Sequence, residues 1–550
     1  MDRGTRHGGA WLKRRGRTVA KDGVGEVRTA PTDAGRAGGS AASPRLNLAQ
    51  QASARGARQE ARGLAAAAAL LVGVSAVHAW RTDAFLDHVS GAWAGLAFDL
   101  SRGVFYRPLY ASGHYGGTRF FPLQFALEAA ALRLGAAPRA TGFALVALAM
   151  LGLMLGSFAV LRRWGVARGL AASCAGLVLA AGTAQVGLLA VRGDALPAAL
   201  SVAGLALGAG PGLRWRGPWG AALLFTLAFA AKETSVFALT ALVLWWWWVG
   251  RRRAAVTMLA LTLLGDVLVL GLIAWASRGR AFQVFVACAS GGATLVDVLH
   301  SPVRLLGLVA ADPGTAPFLT LGAAAALHGL RRRPPTLAVI YFATTALATL
   351  LIVGSPGTSV NHLLDLHVAA LLVVGDWLAH EPIPLRRFTV LALTAGALIA
   401  VAPILQDLHQ PKTAPAPDYD RLAEFVHCAP RPVLSENPWF PVLAGQRPYL
   451  LDGFMFRVVR QQHPQFAQPL WARLAAGGFG AVILRADPRS DSGQAWYRNM
   501  HFGPGFLDQL NAHYRWAATL GGQYIYLPRG VAGAPGAACL APLAPASVTR

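Results

Sequence analysis

Charge is scarce in this chain, and acidic charge scarcest: 14% of its 550 residues are charged, with 26 Asp and Glu against 50 Lys and Arg. So little charge over so many residues excludes one soluble domain. Cysteine is scarce too. The four, Cys174, Cys288, Cys428 and Cys539, form no CxxC pair and have no histidine-rich spacing, which excludes a zinc ribbon or a thiol redox motif. There is no glycine-rich phosphate loop of the kind a nucleotide-binding domain carries. Nor do the two halves repeat each other's hydropathy, as they do in many transporters.

What is abundant is apolar sequence, at 54% of residues, arranged in runs near the length a bilayer requires. The runs at 64 to 80, 141 to 161, 169 to 190, 195 to 212, 218 to 232, 234 to 250, 254 to 276, 315 to 330, 336 to 353, 363 to 380 and 388 to 405 predict an α-helical polytopic membrane protein of about eleven spans. The formal charge of +24 would point to nucleic acid in a soluble protein. Here the basic residues sit in a polar tail and in clusters between apolar runs, so they set topology and imply no nucleic-acid partner. Residues 1 to 60 read as a disordered basic cytoplasmic tail, too long for a signal peptide leader, which makes the first span uncleaved and the N-terminus inside. Arg162, Arg163 and Arg168, then Arg214 and Arg216, Arg251 to Arg253, Arg331 to Arg333, and Arg386 and Arg387 all fall at alternate turns, on the expected cytoplasmic side of an inner membrane.

The other turns hold the chemistry. A transmembrane module over 61 to 405 carries an outer loop, 81 to 140, with Asp83, Asp87, His88, Asp99, Arg102, Arg107, His114 and Arg119. Charge beside a bilayer is costly, so such a cluster marks a site. The run 120 to 134 reads as a helix along the outer interface. On the same side lie Arg192 and Asp194, Lys232 and Glu233, and the turn NHLLDLH with Asn361, His362 and Asp365. That turn offers too few ligands for a metal and suits the lining of a cavity mouth.

From residue 406 to 550 the long runs stop, and a C-terminal extracytoplasmic α/β domain is expected behind the Pro-rich linker QPKTAPAPD. RPVLSE, AVILRAD and YIYLPR read as strands, and 419 to 427 and 466 to 476 as helices. Its densest polar part holds Glu436, Asn437, Arg447 and Asp452. Cys428 and Cys539 can pair if this domain lies outside the cytoplasm, although spacing alone does not bring two Cα atoms within bridging distance.

The early acidic residue of the outer loop, the stretch AFDLSRGVFY and the aromatic-proline segment GGTRFFPL together resemble the GT-C superfamily of membrane glycosyltransferases. The nearer likeness is to its family 39-like branch, with protein O-mannosyltransferases and aminoarabinose transferases. KET after a short span, NHLLDLH and LSENP with LAGQRPYLLD add weaker likeness. One departure is that the branch often has an Asp-Glu pair where this chain has Asp87-His88.

The resemblance implies inverting transfer of a sugar from a polyprenyl-phosphate donor to a glycan, lipid or protein acceptor at the outer face. It implies no organic cofactor and leaves a divalent metal open. A carboxylate would take the acceptor's proton, Asp87 first and Asp83 second. Arg107, Arg119 and Lys232 would hold the lipid phosphate. Asp194 and Glu233 would orient these cations or bind sugar hydroxyls, with Asn361 and His362 at the cavity mouth. The alternative is a transporter or lipid-linked sugar flippase without transferase activity.

Overall fold

The computed structural model describes residues 44–82, 86–210, 216–289, 294–331, 335–355, 358–380, 383–409, 418–529 and 535–540. Asp83, one of the two expected bases, lies outside the described residues, as do Arg214, Arg332 and Arg333.

Each expected apolar run is helical, and the chain is a multi-pass membrane protein. Among the described residues, five helices are long and apolar enough to cross a membrane: Gln59–Arg81, Pro138–Arg163, Arg252–Ser277, Val360–His380 and Leu385–His409. A sixth span forms if Arg168–Ala180 and Gly182–Leu189, bent by 71°, count as one. The remaining runs give shorter apolar helices, Ala195–Gly208, Pro218–Ala231, Phe237–Trp248, Ala316–Leu330 and Leu337–Val353. Polar residues stop them early. Asp194 stands before the first of these, and Lys232 and Glu233 follow the second.

The helices that leave the turns holding Arg192, Asp194, Lys232 and His362 end at turns that bear arginine clusters. Arg162, Arg163, Arg168, Arg251 to Arg253, Arg331, Arg386 and Arg387 fall at one end, and Arg192, Asp194, Lys232 and His362 at the other. Two contacts tie the first span to the last in the same sense: Glu60 pairs with Arg387 at 3.2 Å, and His78 with Asp407 at 2.7 Å.

The loop after the first span is ordered by its own residues. Asp87 caps the helix His88–Ser101, and a two-residue ladder, β1 (Tyr110–Ala111) with β2 (His114–Tyr115), follows it. The run at 120 to 134 becomes a 12-residue helix, Pro122–Arg133, with proline in its first turn. It is too short to span, and it packs on His88–Ser101. The stretch 277 to 314 adds helices Arg280–Ala289, Leu295–Leu299 and Ser301–Ala310.

The tail holds a four-stranded sheet in the order β3 (Val433–Ser435), β4 (Ala481–Leu484), β6 (Gln523–Pro528), β5 (Tyr514–Leu520). β3 and β4 are parallel and the other pairs antiparallel. The three expected strands are present. β5 adds an edge strand whose middle residues face outward, which is why its sequence lacks a clear apolar alternation. Helix Tyr419–Cys428 ends at a disulfide from Cys428 to Cys539, with Cα atoms 5.8 Å apart.

Loop and tail share one hydrophobic cluster, in which Trp93, Phe98 and Phe125 meet Trp439, Phe440 and Leu451. The close approach depends on two glycines four apart on helix His88–Ser101. A Cβ on Gly91 would stand 2.3 Å from Asn437 Oδ1, and one on Gly95 2.7 Å from Leu451 Cδ2. Polar contacts then fix the register. Asn437 Nδ2 donates to Leu86 O at 2.6 Å, and Tyr115 N to Tyr449 O at 2.7 Å. Asp99, 1% exposed, accepts from Arg107 Nε and, at 3.0 Å, from Arg447 Nε.

Removing the anion of that triad strands a buried guanidinium, whereas removing the half-exposed Arg447 does not. Asp99→Ala is expected to destabilise the protein by about 3–5 kcal/mol, and Arg447→Ala by about 1 kcal/mol or less. Thermal unfolding of both variants checks this, and equal losses would contradict it.

Candidate functional site

A cavity of about 500 Å³ opens at the end of the bundle away from the arginine clusters, between helix ends, the loop and the tail. The loop supplies Asp87, His88 and Arg119, and the helix ends supply Arg192, Asp194, Lys232, Glu233, Asn361 and His362. The structure thus gathers into one cavity candidates that are up to 275 positions apart in sequence, from Asp87 to His362.

Asp87 is 6% exposed and well held. Its Oδ1 accepts from Ser90 N and Ser90 Oγ, both at 3.0 Å, and its Oδ2 from Arg192 Nη2 at 2.5 Å. Burial alone would push its pKa up. Arg192 and the Ser90 hydrogen bonds more than reverse this, so the carboxyl sits below its ordinary value and is ionised. The imidazole of His88 goes the other way: burial, with His501 nearby, lowers its pKa to about 3 and keeps the ring neutral.

The cations differ in what they already hold. Lys232 Nζ donates to Asp194 Oδ1 at 2.8 Å, and the same oxygen accepts from Asn361 Nδ2 at 3.1 Å. Arg192 is committed to Asp87. Arg119 alone among the cavity's cations has no hydrogen bond or ion pair among the described residues. Glu233 lies at the rim with its side chain exposed.

Arg107 does not reach this cavity. Its guanidinium is 5% exposed and engaged by Asp99, Tyr115 O and Pro448 O. Its position between loop and tail makes it a clamp of the fold, a role its place in the loop sequence did not reveal. Conversely, the tail brings Asp452, Trp496, Met500 and His501 to the cavity. The polar stretch around Asp452 hinted at one of these, but nothing in WYRNMH distinguishes Trp496 or His501 locally.

Gly193 explains the tight turn between Arg192 and Asp194. The ring of Trp93 lies stacked on Phe120 with centroids 4.3 Å apart, and a Cβ at Gly193 would come within 2.1 Å of it. Among the described residues, no group of three or more His, Cys, Asp or Glu is placed to hold a metal ion.

No protein-family model matches the sequence, and no curated protein sequence is significantly similar to it. Solved structures do share its fold. ArnT from Cupriavidus metallidurans, bound to undecaprenyl phosphate, matches with a TM-score of 0.54 and 13% identity, over 83% of this chain and 97% of that one. The oligosaccharyltransferase AglB from Archaeoglobus fulgidus, in complex with an inhibitory peptide and a dolichol-phosphate, matches with a TM-score of 0.53 and 13% identity, over 86% and 74%. The oligosaccharyltransferase of the same organism in complex with Zn and sulfate gives 0.54 and 14%, over 85% and 73%. The chain has the fold of these GT-C membrane proteins.

Two outcomes follow from the geometry. Gly193→Ala is expected to cost about 1–3 kcal/mol by overpacking Trp93, read as a lower unfolding temperature; an unchanged temperature would show that the turn has slack. His88 is expected to remain neutral between about pH 5 and 8 in nitrogen-15 NMR of labelled histidine, and a titration inside that window would contradict its burial.

Proposed function

We propose that the chain transfers a glycosyl group from a polyprenyl-phosphate donor to an acceptor hydroxyl in this cavity, with inversion at the anomeric carbon. The observation that carries the reading is the pairing of an ionised carboxylate, Asp87, with an uncommitted cation, Arg119, in one partly closed space at a helix-bundle end. Undecaprenyl phosphate and dolichol-phosphate, held by two proteins of the same fold, are donor carriers of the fitting class.

The parts divide the reaction between them. The donor phosphate binds Arg119, whose forked donors match its oxygens, and Lys232 adds charge from its pair with Asp194. The acceptor oxygen attacks the anomeric carbon as its proton passes to Asp87, and the bond from that carbon to the phosphate oxygen breaks. Arg192 tempers this base. Drawn toward the incoming phosphate, it would release Asp87 Oδ2 and restore some of the basicity it now suppresses. Fixed cations then carry the charge that develops on the leaving phosphate. The lipid tail lies between apolar helices.

Orientation follows the arginines. Their end faces the cytoplasm by the positive-inside rule, and the cavity end with its disulfide faces an oxidising compartment.

Transfer of radiolabelled sugar from a panel of polyprenyl-phosphate sugars to membrane acceptors tests the reading. Asp87→Asn is expected to lower kcat by about 100-fold or more, and Arg119→Gln to raise KM for the lipid donor by about tenfold. Absence of transfer from any donor, or full activity of Asp87→Asn, would overturn it. In intact cells, a membrane-impermeant maleimide is expected to label Arg498→Cys but not Arg163→Cys; the reverse pattern would invert the orientation.

A further inference from the structure

Among the described residues, the wall that the tail contributes to the cavity carries no lysine or arginine. It consists of Asp452, Phe454, Met455, Trp496, Met500 and His501, and one buried residue sets its shape. Glu436, 1% exposed, continues the β3 strand, donating its backbone N–H to Ile483 O at 2.9 Å. Its carboxylate accepts from Arg485 N at 2.8 Å, Trp496 Nε1 at 2.7 Å and Tyr497 Oη at 2.8 Å, and stands 2.9 Å from His501 Nδ1. Three hydrogen-bond donors and the edge of the His501 ring surround one carboxylate, which holds the indole and sets the imidazole beside it. Burial would raise the pKa of Glu436, but His501 and the surrounding hydrogen bonds bring it to about 2, so the carboxylate stays charged.

The loop completes the wall. The ring of His88 meets that of His501 edge to face, with centroids 4.5 Å apart. His88 Nδ1 has no partner among the described residues, and a buried polar atom left unpaired is costly. With its Nδ1 turned to Glu436, His501 has Nε2 left for the cavity. Asp452 Oδ1 accepts from Phe454 N and Met455 N, at 2.9 and 3.0 Å, which leaves Oδ2 as an acceptor.

These groups match one ligand chemistry. The neutral imidazole of His88 can both donate and accept, His501 brings a second ring nitrogen and Asp452 an acceptor oxygen, a mixture suited to hydroxyl groups rather than to a phosphate alone. Hydroxyl groups around an otherwise apolar ring need that mixture, with Trp496, Phe454 and Met455 as the apolar complement. We propose that this wall is a sugar-ring subsite, in which His501, His88 and Asp452 hydrogen-bond ring hydroxyls in the same cavity as the cation Arg119. Glu436 is its positioning residue, since it acts through His501 and Trp496. The assignment rests on the glycosyl-transfer reading for the source of the sugar, but binding itself requires no transfer.

Saturation-transfer NMR of the full chain in nanodiscs, with methyl mannopyranoside and methyl glucopyranoside as probes, tests the subsite. At least one glycoside is expected to bind the wild type, and His501→Gln to weaken it about tenfold, the worth of one hydrogen bond to a buried, charge-assisted group. Undecaprenyl phosphate binding, measured alongside, is expected to be unchanged and reports a folded chain. Should His501→Gln lose both ligands through misfolding, His88→Asn, which leaves the Glu436 contacts intact, decides: weakened glycoside binding with normal lipid binding supports the subsite. Displacement of the glycoside by a polyprenyl-phosphate sugar assigns the subsite to the donor's ring, and simultaneous binding assigns it to a glycan acceptor; both outcomes support it. No glycoside binding by wild type, or unchanged affinity in the two folded histidine variants, would overturn it. Glycoside binding without transfer from any lipid donor would remove the transfer reading and leave the subsite standing.

Discussion

The buried carboxylate of Asp99 is the contact on which the upper half of the molecule depends. It lies near the end of helix His88–Ser101 and takes one arginine from the loop, Arg107, and one from the tail, Arg447. A lone charge at that depth would be untenable, and two cations on one anion still leave an excess of positive charge. Backbone acceptors supply the balance: Arg107 also donates to Tyr115 O and Pro448 O. The triad therefore assembles only when loop, β1–β2 ladder and tail are all in place, with Arg107 Nε and Nη1 both engaged. Gly91 and Gly95, on the face of the same helix, let the tail come close enough for this to happen. Because the tail forms one wall of the cavity, the shape of the candidate site follows from a contact that does not line it.

Within the cavity, electrostatics separates groups that look alike in the sequence. Arg192 and Lys232 are each paired with an aspartate, so their net contribution to an incoming anion is small until that anion competes for them. Arg119 has no such hydrogen-bonded partner among the described residues and is the cation least committed before an anion arrives. The same logic applies to the acids. Asp87 is ionised because Arg192 and Ser90 favour the charged form, and the contacts that keep it charged also make it a weak base. A site that binds phosphate by drawing Arg192 away would couple donor binding to activation of the base, which gives a physical reason for the two to sit 2.5 Å apart.

Much of this was legible in the chain because the membrane simplifies it. Apolar runs became helices at nearly their expected bounds, and the rule that charge avoids the bilayer put Asp87, Arg119, Asp194, Lys232 and His362 on one side before any contact was known. In the tail, AVIL and YIYLP read as strands because they are buried, and β5 escaped because its middle residues face outward. The role of Arg107 was hidden for another reason. Whether a loop arginine meets a ligand or a buried aspartate depends on a partner eight residues away and a second one in the tail, Arg447. His501 was hidden for the same reason, and Glu436 stood out in the tail without a partner to explain it: both acquire meaning only opposite His88, which is more than 340 positions away in the chain.

That long-range pairing bears on the residue that sets this chain apart from the glycosyltransferase branch it resembles, His88 in the place where an Asp-Glu pair is often found. A glutamate at 88 would stand next to Asp87 and against the ring of His501, which Glu436 already approaches at 2.9 Å. Three carboxylates would then crowd one dry corner, with Asp452 also on the cavity wall, and at least one of them would be forced to take up a proton. Histidine avoids that conflict, since its neutral ring packs edge to face on His501 and adds no charge. The second acid of this corner is supplied by the tail in the form of Glu436, and it reaches the cavity through an imidazole. The exchange at position 88 is thus matched to the tail that covers it, and the two are intelligible only together.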